Sequence, residues 1–360
     1  MFFPMNAIKG RGSVTNKEST RFNLAQREAD LDWLDERDLH DGPVPKLRTT
    51  VTELHPKTIL SFNKSPDIPF DRSINAYNGC EHGCVYCFAR PSHAYHDLSP
   101  GLDFETRLFA KPDAPRLLRE TLARQGYNPA PIAMGTNTDP YQPIEATYGI
   151  TRQVLEICLE TRHPVSIVTK SDRVLADLDL LEELARHNLV SVGLSVTSLD
   201  ARLSRLLEPR AAAPARRLAA LGRLAQAGVP VHAMIAPVIP AITDGDLEGI
   251  VEACAQQGVK RVNWIMIRLP HEVAPLFREW LEAHFPDRAG KVMAIIREMR
   301  GGRDNDPRFG DRFRAQGAWA ETLKARFRLA MKRHGMTGPR IELDCAQFRR
   351  PSPGGQLSLF

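Results

Sequence analysis

From about Ser73 the chain alternates between short apolar, β-prone runs and longer segments whose apolar residues recur at helical spacing. The β-prone runs are Ser73–Asn78, Pro131–Met134, Val165–Thr169, Leu189–Val196, Val229–Val238 and Val262–Ile267. This alternation is typical of repeated βα units around a parallel sheet. Because six strands are too few for a complete eight-stranded barrel, the pattern predicts an open, partial (β/α)6 barrel of the TIM type. Its active site is expected at the C-terminal ends of the strands.

The helical segments between these runs have recognisable ends. Pro214 stands near the first turn of one helix, and Gly228 follows its last turn. Thr243 precedes another helix, and Asp246 follows three residues later. This spacing predicts that the Thr243 hydroxyl caps the free amides of the first helical turn.

Outside residues 66–270 the pattern changes. Residues 1–65 are polar and, apart from a short helical pattern at 24–37, lack sustained periodicity, so they are predicted to form an N-terminal arm. Residues 271–348 are predicted to be a helical, basic extension. Residues 349–360 are predicted to be a flexible tail, because they begin with a Pro-, Ser- and Gly-rich stretch.

The composition is that of an ordinary globular protein, with 42% hydrophobic and 25% charged residues. It excludes disordered, fibrous and disulfide-dense small proteins. No apolar run approaches the roughly 20 residues needed to cross a bilayer, and the first residues lack the basic region of a signal peptide. We therefore expect a cytoplasmic protein with reduced thiols and no membrane partner.

Half of the six cysteines lie in one short loop, as Cys80, Cys84 and Cys87, directly after the first predicted strand. Thiolates at this C-x3-C-x2-C spacing can converge on one metal centre. A structural zinc ion needs a fourth ligand, for which His82 and His93 are close in sequence, although the usual paired C-x2-C units are missing. A [4Fe–4S] cluster takes three thiolates and leaves one iron open. These residues alone leave zinc and iron–sulfur as open alternatives.

The spacing C-x3-C-x-Φ-C, with Tyr86 at the aromatic position Φ, resembles the radical S-adenosylmethionine (SAM) superfamily. The resemblance spans about residues 70–270. It implies that Cys80, Cys84 and Cys87 hold a [4Fe–4S] cluster whose open iron binds SAM. It also implies that the reduced cluster cleaves SAM to a 5′-deoxyadenosyl radical, which abstracts hydrogen from a substrate. An electron donor such as flavodoxin or ferredoxin is then a required partner.

Several further runs are similar to those of the spore photoproduct lyase-related branch of that superfamily. These runs are Ser65–Asp71, Asn75–Cys80, Gly135–Pro143, Thr169–Ser171, Leu207–Arg210 and Ala236–Pro240. The resemblance implies a lyase-like enzyme acting on damaged or modified DNA. Two alternatives remain: a radical SAM enzyme that modifies RNA or protein, and a metal-stabilised DNA-binding adaptor without turnover.

The resemblance also implies which residues bind SAM at the ends of the predicted strands. They are Tyr86, Thr136, Asn137, Thr138, Lys170, Ser195 and Thr197. The small polar residues 136–138 suit the SAM amino group, and Lys170 suits its carboxylate. Ser195 and Thr197 resemble the ribose-contacting position. The alternatives are that residues 136–138 cap the end of a strand and that Lys170 is a solvated surface residue.

One position departs from the branch. The lesion lyase has a cysteine whose thiol returns hydrogen to the product radical, and Thr136 stands in its place here. A hydroxyl O–H bond is far too strong to replace that thiol. Cys158 and Cys254 fall within helical patterns and are expected to be packing residues. Cys345 is therefore the candidate hydrogen donor, and Tyr141 is a candidate radical relay.

The charge is concentrated near the C-terminus. Residues 291–340 contain 13 Lys and Arg against 5 Asp and Glu, a net +8 in a chain whose total is +5. Within that stretch, residues 324–333 place five cations and Phe327 in one helical pattern. Such a surface favours binding to the phosphates of a nucleic acid, with a solvated helix face as the alternative.

The last five residues, Gln356–Phe360, resemble the consensus with which many bacterial DNA polymerases and repair proteins bind the sliding clamp. A short segment with three apolar anchors at a flexible end suits docking in a groove. It would tether the protein to DNA and raise its effective concentration there. The alternative is an amphipathic tail that packs against the barrel.

The clamp hypothesis predicts that deleting residues 356–360 abolishes binding to an immobilised bacterial sliding clamp and leaves SAM cleavage unchanged. A variant carrying the same five residues in scrambled order is the matched control and is expected to lose binding equally. Clamp binding that survives the deletion contradicts the hypothesis.

Overall fold

In the computed structural model, which describes residues 8, 10–22, 47–336 and 338–351, strands and helices alternate along the chain. The strands are β1 (Thr50–Glu53), β2 (Leu60–Phe62), β3 (Arg72–Ile74), β4 (Tyr77–Asn78), β5 (Arg107–Ala110), β6 (Ile132–Met134), β7 (Val165–Thr169), β8 (Val190–Ser195), β9 (Val231–Val238) and β10 (Val262–Met266). Seven of them form the main sheet, in the order β10-β9-β8-β7-β6-β3-β2.

The main sheet is an open barrel wall of six parallel strands with one antiparallel strand at its edge. Strands β3, β6, β7, β8, β9 and β10 pair in parallel with their neighbours, and β2 pairs antiparallel with β3. Among the described residues, β10 has no pairing that would close the sheet on β2 or β3. The predicted partial (β/α)6 barrel is thereby confirmed, with its parallel strands all ending at one edge.

Helices connect these strands and pack against the sheet. They are α1 (Asp103–Thr106), α2 (Ala114–Ala123), α3 (Glu145–Tyr148), α4 (Ile150–Glu160), α5 (Leu178–Arg186), α6 (Ala201–Leu207), α7 (Pro214–Gln226), α8 (Leu247–Gln256), α9 (Val273–His284), α10 (Pro286–Met299) and α11 (Gly317–Arg333). The 3-10 helices at Arg90–His96, Asp172–Asp177 and Asp244–Asp246 complete the connections.

Burial follows the position of each strand in the sheet. In β7 the residues Val165, Ile167 and Thr169 are buried and the two between them are half-buried. Strand β8 is buried at every position, as expected for a strand near the middle of a parallel sheet that is covered on both faces. The core therefore runs along the sheet and continues into the inward faces of the helices.

The first predicted strand differs from the prediction because it is divided between two sheets. Ser73–Asn78 contains the end of β3 and all of β4, and β4 pairs with β5 in a second sheet of order β1-β5-β4. This break turns the chain out of the barrel wall before Cys80, whose amide donates to the Phe104 carbonyl at 2.9 Å. The other predicted runs match strands to within two residues at either end.

Two smaller predictions also differ from the structure. Thr243 does not cap the following helix, because its hydroxyl accepts a hydrogen bond from the Ile239 amide at 2.8 Å. Strands β1 and β2 lie in the segment predicted to be an arm, and β2 joins the main sheet. These two strands are short and contain few apolar residues, so hydrophobic periodicity did not predict them. The domain boundaries remain a prediction.

Residues 10–22, which we call the N-terminal strap, cross from the cysteine-containing loop to helix α9. Thr15 donates from Oγ1 to Glu279 at 2.6 Å, and Ser19 donates to Glu272. Arg21 pairs with Glu272 at 2.7 Å and donates to the Pro91 carbonyl. The strap therefore links the first loop of the barrel to the C-terminal extension.

The C-terminal extension is helical, as predicted, and returns beneath the barrel. Helix α11 packs on α8, where Arg326 pairs with Glu248 at 2.7 Å. The segment after α11 then crosses the N-terminal edge of the sheet, because the Arg349 amide donates to the Thr161 carbonyl just before β7. In the part of the chain described, no helix is long and apolar enough to span a membrane. The helical pattern at 24–37 and the clamp-like segment 356–360 lie outside the described residues.

Gly135, at the end of β6, offers a sharp test of this strand arrangement. Its φ is +91°, and a Cβ atom added there would lie 1.9 Å from the Val168 carbonyl oxygen of β7. We predict that Gly135→Ala lowers the free energy of unfolding by about 2 kcal/mol or more, since strain and overpacking act together. Urea denaturation is the measurement.

Gly126 provides the matched control for that substitution. Its φ is +79°, and a Cβ atom added there meets nothing within 4 Å in the described part of the chain. Gly126→Ala therefore introduces the left-handed backbone strain alone, at about 1 kcal/mol. Equal destabilisation by both substitutions contradicts the close approach of β6 and β7 at Gly135.

Candidate metal and cofactor site

The three clustered cysteines lie on a loop that begins just after β4 and winds through successive tight turns. The Gly83 amide donates to the Cys80 carbonyl at 3.3 Å, and the Cys87 amide donates to the Cys84 carbonyl at 3.2 Å. Cys80 and Cys84 are buried and Cys87 is half-buried, and all three are free thiols. The loop thus carries all three cysteines beyond the C-terminal end of the first barrel strand.

Arg90 holds this loop in shape from within. Its side chain is fully buried and every nitrogen of the guanidinium group has a partner. The acceptors are the carbonyls of Gly83, Cys84, Pro100 and Gly101, at 2.8 to 3.0 Å, and the Glu105 carboxylate at 2.5 Å. A planar guanidinium with fixed donor directions therefore defines where the main chain around Cys84 runs.

Glu105 connects that arginine to the N-terminal strap. Its two carboxylate oxygens accept hydrogen bonds from the amides of Gly12 at 3.0 Å and Ser13 at 2.8 Å, in addition to the Arg90 bond. The carboxylate is completely buried, so these partners replace the water that it loses on folding. The strap thereby closes over the outside of the cysteine loop.

The arrangement of donors distinguishes between the two metal centres left open by the sequence. Among the described residues, no three His, Cys, Asp or Glu side chains converge closely enough to hold a single ion. A zinc ion needs ligands about 2.0–2.3 Å away, whereas a [4Fe–4S] cluster places each thiolate on a separate iron. The cysteine loop therefore fits a cluster better than a zinc ion.

Burial makes a bound cationic centre necessary for these thiols to act as ligands. Burial raises the pKa of Cys84 to about 12 and raises the pKa of Cys80 well above its ordinary value. The neighbouring negative charges add to the shift at Cys80, with Asp139 foremost. Thiolates are therefore disfavoured here without a positively charged partner at the sulfur atoms.

Lys170 lies beside the cysteine loop at the end of β7. Its ammonium Nζ is 5.9 Å from the centre of the Tyr86 ring, and its amide donates to Asp139 at 2.7 Å. Burial opposes the charge of this side chain, but Cys84 and Glu208 outweigh it and hold the pKa of Lys170 above its ordinary value. Lys170 is half-buried and lies against Tyr86, so it is not a fully solvated surface lysine.

Glu208 is the centre of a buried network that fixes Tyr86. The Tyr86 hydroxyl donates to Glu208, and Thr197 donates to the same carboxylate oxygen at 2.6 Å. Arg217 pairs with the other oxygen and also donates to the Ser195 carbonyl at 2.9 Å. Burial disfavours the charge on Glu208, but Arg217 and Lys170 overcome it and lower the pKa of the carboxyl group.

Sequence reasoning missed the roles of Glu208 and Arg217. Both side chains are almost completely buried, which is rare for charged residues unless they pair. Glu208 lies in the Leu207–Arg210 run that carried part of the family resemblance, but nothing local showed its partners. Arg217 falls on the inward face of α7, where an isolated cation at an apolar position was the available signal.

The polar residues after β6 mainly organise the main chain. Thr136 donates to the Asn75 side chain at 3.1 Å, and the Asn137 amide donates to the same oxygen at 2.9 Å. Thr138 donates to the Gly79 carbonyl, directly before the first cysteine, at 2.8 Å. The hydroxyl groups of Thr136 and Thr138 therefore cap the strand end, as in the alternative interpretation. The Asn137 side chain is exposed at this edge.

The structure does not bring Cys345 to the site. The adjacent Asp344 amide donates to the Asn188 carbonyl at 2.9 Å, just before β8 begins. Cys345 therefore lies at the N-terminal edge of the sheet, whereas the clustered cysteines and Lys170 lie at its C-terminal edge. This position contradicts the prediction that the Cys345 thiol donates hydrogen at the barrel mouth.

Tyr141 is engaged in a structural contact below the surface of the barrel. Its ring is buried in the core and its hydroxyl donates to Asp177 at 3.0 Å, where Arg152 binds the other carboxylate oxygen at 2.9 Å. Asp177 lies at the start of α5, so this contact joins the loop after β6 to the helical layer. The contact supports a structural role for Tyr141 rather than that of a radical relay. Cys158 and Cys254 are fully buried packing residues, as expected.

Comparison with known proteins defines the class of this protein. The family model of the Radical SAM superfamily matches residues 74–254. An uncharacterized Mycobacterium tuberculosis protein is 34% identical over 242 residues, covering 66% of this chain and 71% of the relative. The chain therefore belongs to the radical SAM superfamily. It is an enzyme of that superfamily whose cofactors are a [4Fe–4S] cluster and SAM.

More distant similarities extend over much of the chain. An uncharacterized Methanocaldococcus jannaschii protein is 30% identical over 215 residues, covering 59% of this chain and 76% of the relative. The radical SAM Nalpha-GlyT isomerase of Pseudomonas phage M6 is 23% identical over 284 residues, covering 77% of this chain and 54% of the isomerase.

Solved structures of spore photoproduct lyase share the fold. The lyase complexed with dinucleoside spore photoproduct has a TM-score of 0.56 and 17% identity, with 79% of each chain covered. A variant with bound AdoMet and the same lesion has a TM-score of 0.55 and 15% identity, with 84% of this chain and 91% of the lyase covered. These likenesses confirm the predicted relationship to the lyase branch at the level of fold.

The buried Glu208 network gives a stability prediction. Glu208→Gln leaves Arg217 buried without a counter-charge, so we expect the free energy of unfolding to fall by about 3 kcal/mol or more. Glu248→Gln removes a carboxylate from the half-exposed pair with Arg326 and is the matched control, with an expected loss below about 1 kcal/mol. Urea denaturation under anaerobic conditions measures both. Equal small losses contradict the importance of the network.

Proposed function

We propose that this radical SAM enzyme acts on DNA at a damaged or modified base, with Cys80, Cys84 and Cys87 as the ligands of its [4Fe–4S] cluster. The observation that carries the cofactor part of the proposal is the cation Lys170 beside Tyr86 and the cysteine loop, at the C-terminal edge of an open parallel barrel. At this edge the ends of several strands deliver polar groups to one space.

When bound, the cluster and SAM supply a 5′-deoxyadenosyl radical that abstracts hydrogen from the substrate. Lys170 is proposed to bind the SAM carboxylate, because its pKa is held above the ordinary value although the side chain is half-buried. Asn137 presents an amide group for the SAM amino group. Tyr86 is held by its hydrogen bond to Glu208, and its ring lies beside Lys170.

Ser195 and Thr197 are proposed to lie against the ribose. The Ser195 carbonyl and the Thr197 hydroxyl are fixed by Arg217 and Glu208 respectively, so neither group needs to be ordered when SAM binds. Thr136 and Thr138 contribute indirectly, because their hydroxyl groups hold Asn75 and the main chain before Cys80. The proposed SAM site is therefore largely preformed.

Support for DNA as the substrate comes from two directions. The structurally similar lyase has been solved with a dinucleoside spore photoproduct, which is a nucleic acid lesion bound by that protein. The chain also has its excess of positive charge in the C-terminal extension. The predicted basic face of α11 is partly neutralised, because Lys324 pairs with Glu321 and Arg326 pairs with Glu248.

The positions of the cysteines limit which thiols of this chain can return hydrogen to a product radical. Three lie in the proposed cluster loop, Cys158 and Cys254 are fully buried in the helical layer, and Cys345 lies at the opposite edge of the barrel. Thr136 stands where the lesion lyase has its hydrogen-donating thiol. We therefore propose that the reaction ends without hydrogen return from a cysteine of this chain.

The proposal predicts that the anaerobically reconstituted enzyme, supplied with a reductant such as reduced flavodoxin, forms 5′-deoxyadenosine from SAM. Product analysis by mass spectrometry on UV-irradiated DNA then identifies the altered base. Cys84→Ala is expected to abolish 5′-deoxyadenosine formation, because one cluster ligand is lost. Cys345→Ala is the matched control and is expected to leave it unchanged.

Each outcome of this experiment separates the alternatives. Failure of the wild-type protein to cleave SAM, even with damaged DNA present, overturns the enzyme hypothesis in favour of a DNA-binding adaptor. Cleavage with an altered RNA or peptide, and with unchanged DNA, overturns the proposed substrate. Loss of cleavage in Cys345→Ala contradicts the structural placement of that thiol.

A further inference from the structure

Arg268 directly follows the last barrel strand and has an unusual environment. It lies two residues after the end of β10, so its main chain belongs to the same edge of the sheet as Lys170. Its Nε atom is buried, yet it has no hydrogen-bond partner among the described residues. A buried donor without an acceptor is costly, and native proteins satisfy nearly all such groups.

The aromatic ring of Phe313 stacks against the Arg268 side chain. Its guanidinium carbon lies 4.6 Å from the centre of the Phe313 ring. Arg312 lies over the same ring at 5.1 Å. Stacking on a ring fixes the plane of a guanidinium and leaves its in-plane N–H groups available for an oxygen-rich ligand. Arg268 is thus oriented without being neutralised.

The surrounding charges leave Arg268 as the uncommitted cation of this group. Arg300 is occupied by the main chain, donating to the carbonyls of Ile267, Asp311, Arg312 and Arg314. Arg312 pairs with Asp67 at 2.7 Å and also donates to Ser65. Asp67 also attracts Arg268, but its carboxylate is already engaged by Arg312. Burial, with Arg312 and Arg300 close by, lowers the pKa of Arg268 to about 10.

The same contacts position this group relative to the open barrel. Asp67 belongs to the segment between β2 and β3, at one end of the strand order, and Arg312 belongs to the segment that follows α10, beyond β10 at the other end. Their ion pair joins the two edges of the open sheet. Arg268 therefore lies beside the open side of the barrel.

We propose that Arg268, stacked on Phe313, binds a backbone phosphate of the nucleic acid substrate at the edge of the barrel mouth. A phosphodiester supplies two charged oxygens that match the planar donors of a guanidinium, and it neutralises the local excess of positive charge. This inference rests on the proposed function for its ligand, but it concerns a second contact, separate from the SAM site. The inference attributes DNA binding to Arg268 and Phe313 rather than to the exposed face of α11.

The test compares two substitutions that each remove one positive charge. Binding of a fluorescein-labelled DNA duplex to the reconstituted enzyme with SAM is measured by anisotropy at several salt concentrations. Arg268→Gln is expected to raise the Kd roughly tenfold or more, as for loss of a charged hydrogen bond, and to reduce the salt slope by about one. Arg328→Gln, on the exposed face of α11, is the matched control with a change below roughly twofold.

Two further variants keep the result decisive if Arg268→Gln is poorly folded by thermal unfolding. Arg268→Lys retains the charge but loses the planar fork, so its Kd is expected to fall between wild type and Arg268→Gln. Phe313→Leu removes the aromatic ring on which Arg268 stacks and is expected to raise the Kd roughly threefold. Wild-type affinity in Arg268→Gln, or an equal loss in Arg328→Gln, overturns the inference.

The failure of this inference can be distinguished from failure of the proposed function. SAM cleavage and base alteration test the function, whereas the difference between the Arg268 and Arg328 variants tests the phosphate contact. A single-stranded RNA of matching sequence is titrated in parallel. Arg268-dependent binding of RNA with no binding of DNA supports the phosphate contact and overturns the DNA substrate. Binding of neither polymer by wild type overturns the contact.

Discussion

The buried ion pair between Arg90 and Glu105 is the contact on which the metal-binding loop depends. The loop packs Cys84, Val85 and Tyr86 into the core, but its main-chain carbonyls still need hydrogen-bond donors. Arg90 fixes the path of the loop by donating to the carbonyls of Gly83 and Cys84, and Glu105 balances its charge. The amides of Gly12 and Ser13 then complete the carboxylate's hydrogen bonds, so the strap becomes part of the same unit.

A second buried ion pair, between Glu208 and Arg217, holds together the residues at the end of β8 and the cysteine loop. It connects Tyr86, which belongs to that loop, with Ser195 and Thr197 at the end of β8. Lys170 lies between the two assemblies and keeps its charge because Cys84 and Glu208 are close. The site is thus built from charged groups that are individually costly to bury and are stable only together.

The barrel and the cysteine loop were accessible from the sequence because both depend on local patterns. Runs such as Val165–Thr169 gave strands with the predicted bounds, and the spacing of Cys80, Cys84 and Cys87 predicted a metal loop without any knowledge of the fold. Cys345 was wrongly favoured for the opposite reason. Nothing near it in the chain shows that its segment pairs with Asn188 at the N-terminal edge of the sheet. The same limitation hid the partners of Arg217 and Arg268.

Periodicity and motif spacing by themselves predicted the open parallel barrel and the cysteine loop at its mouth, and the resemblance of that loop to known motifs indicated the radical SAM superfamily. These features follow from residues within a few positions of one another, whose spacing is set by the strand or helix that contains them. Only the tertiary structure decided which charges are paired. Ion pairs such as Asp67 with Arg312 join residues that are hundreds of positions apart, and burial sets their strength. The fold therefore determines which cation remains free to bind a ligand.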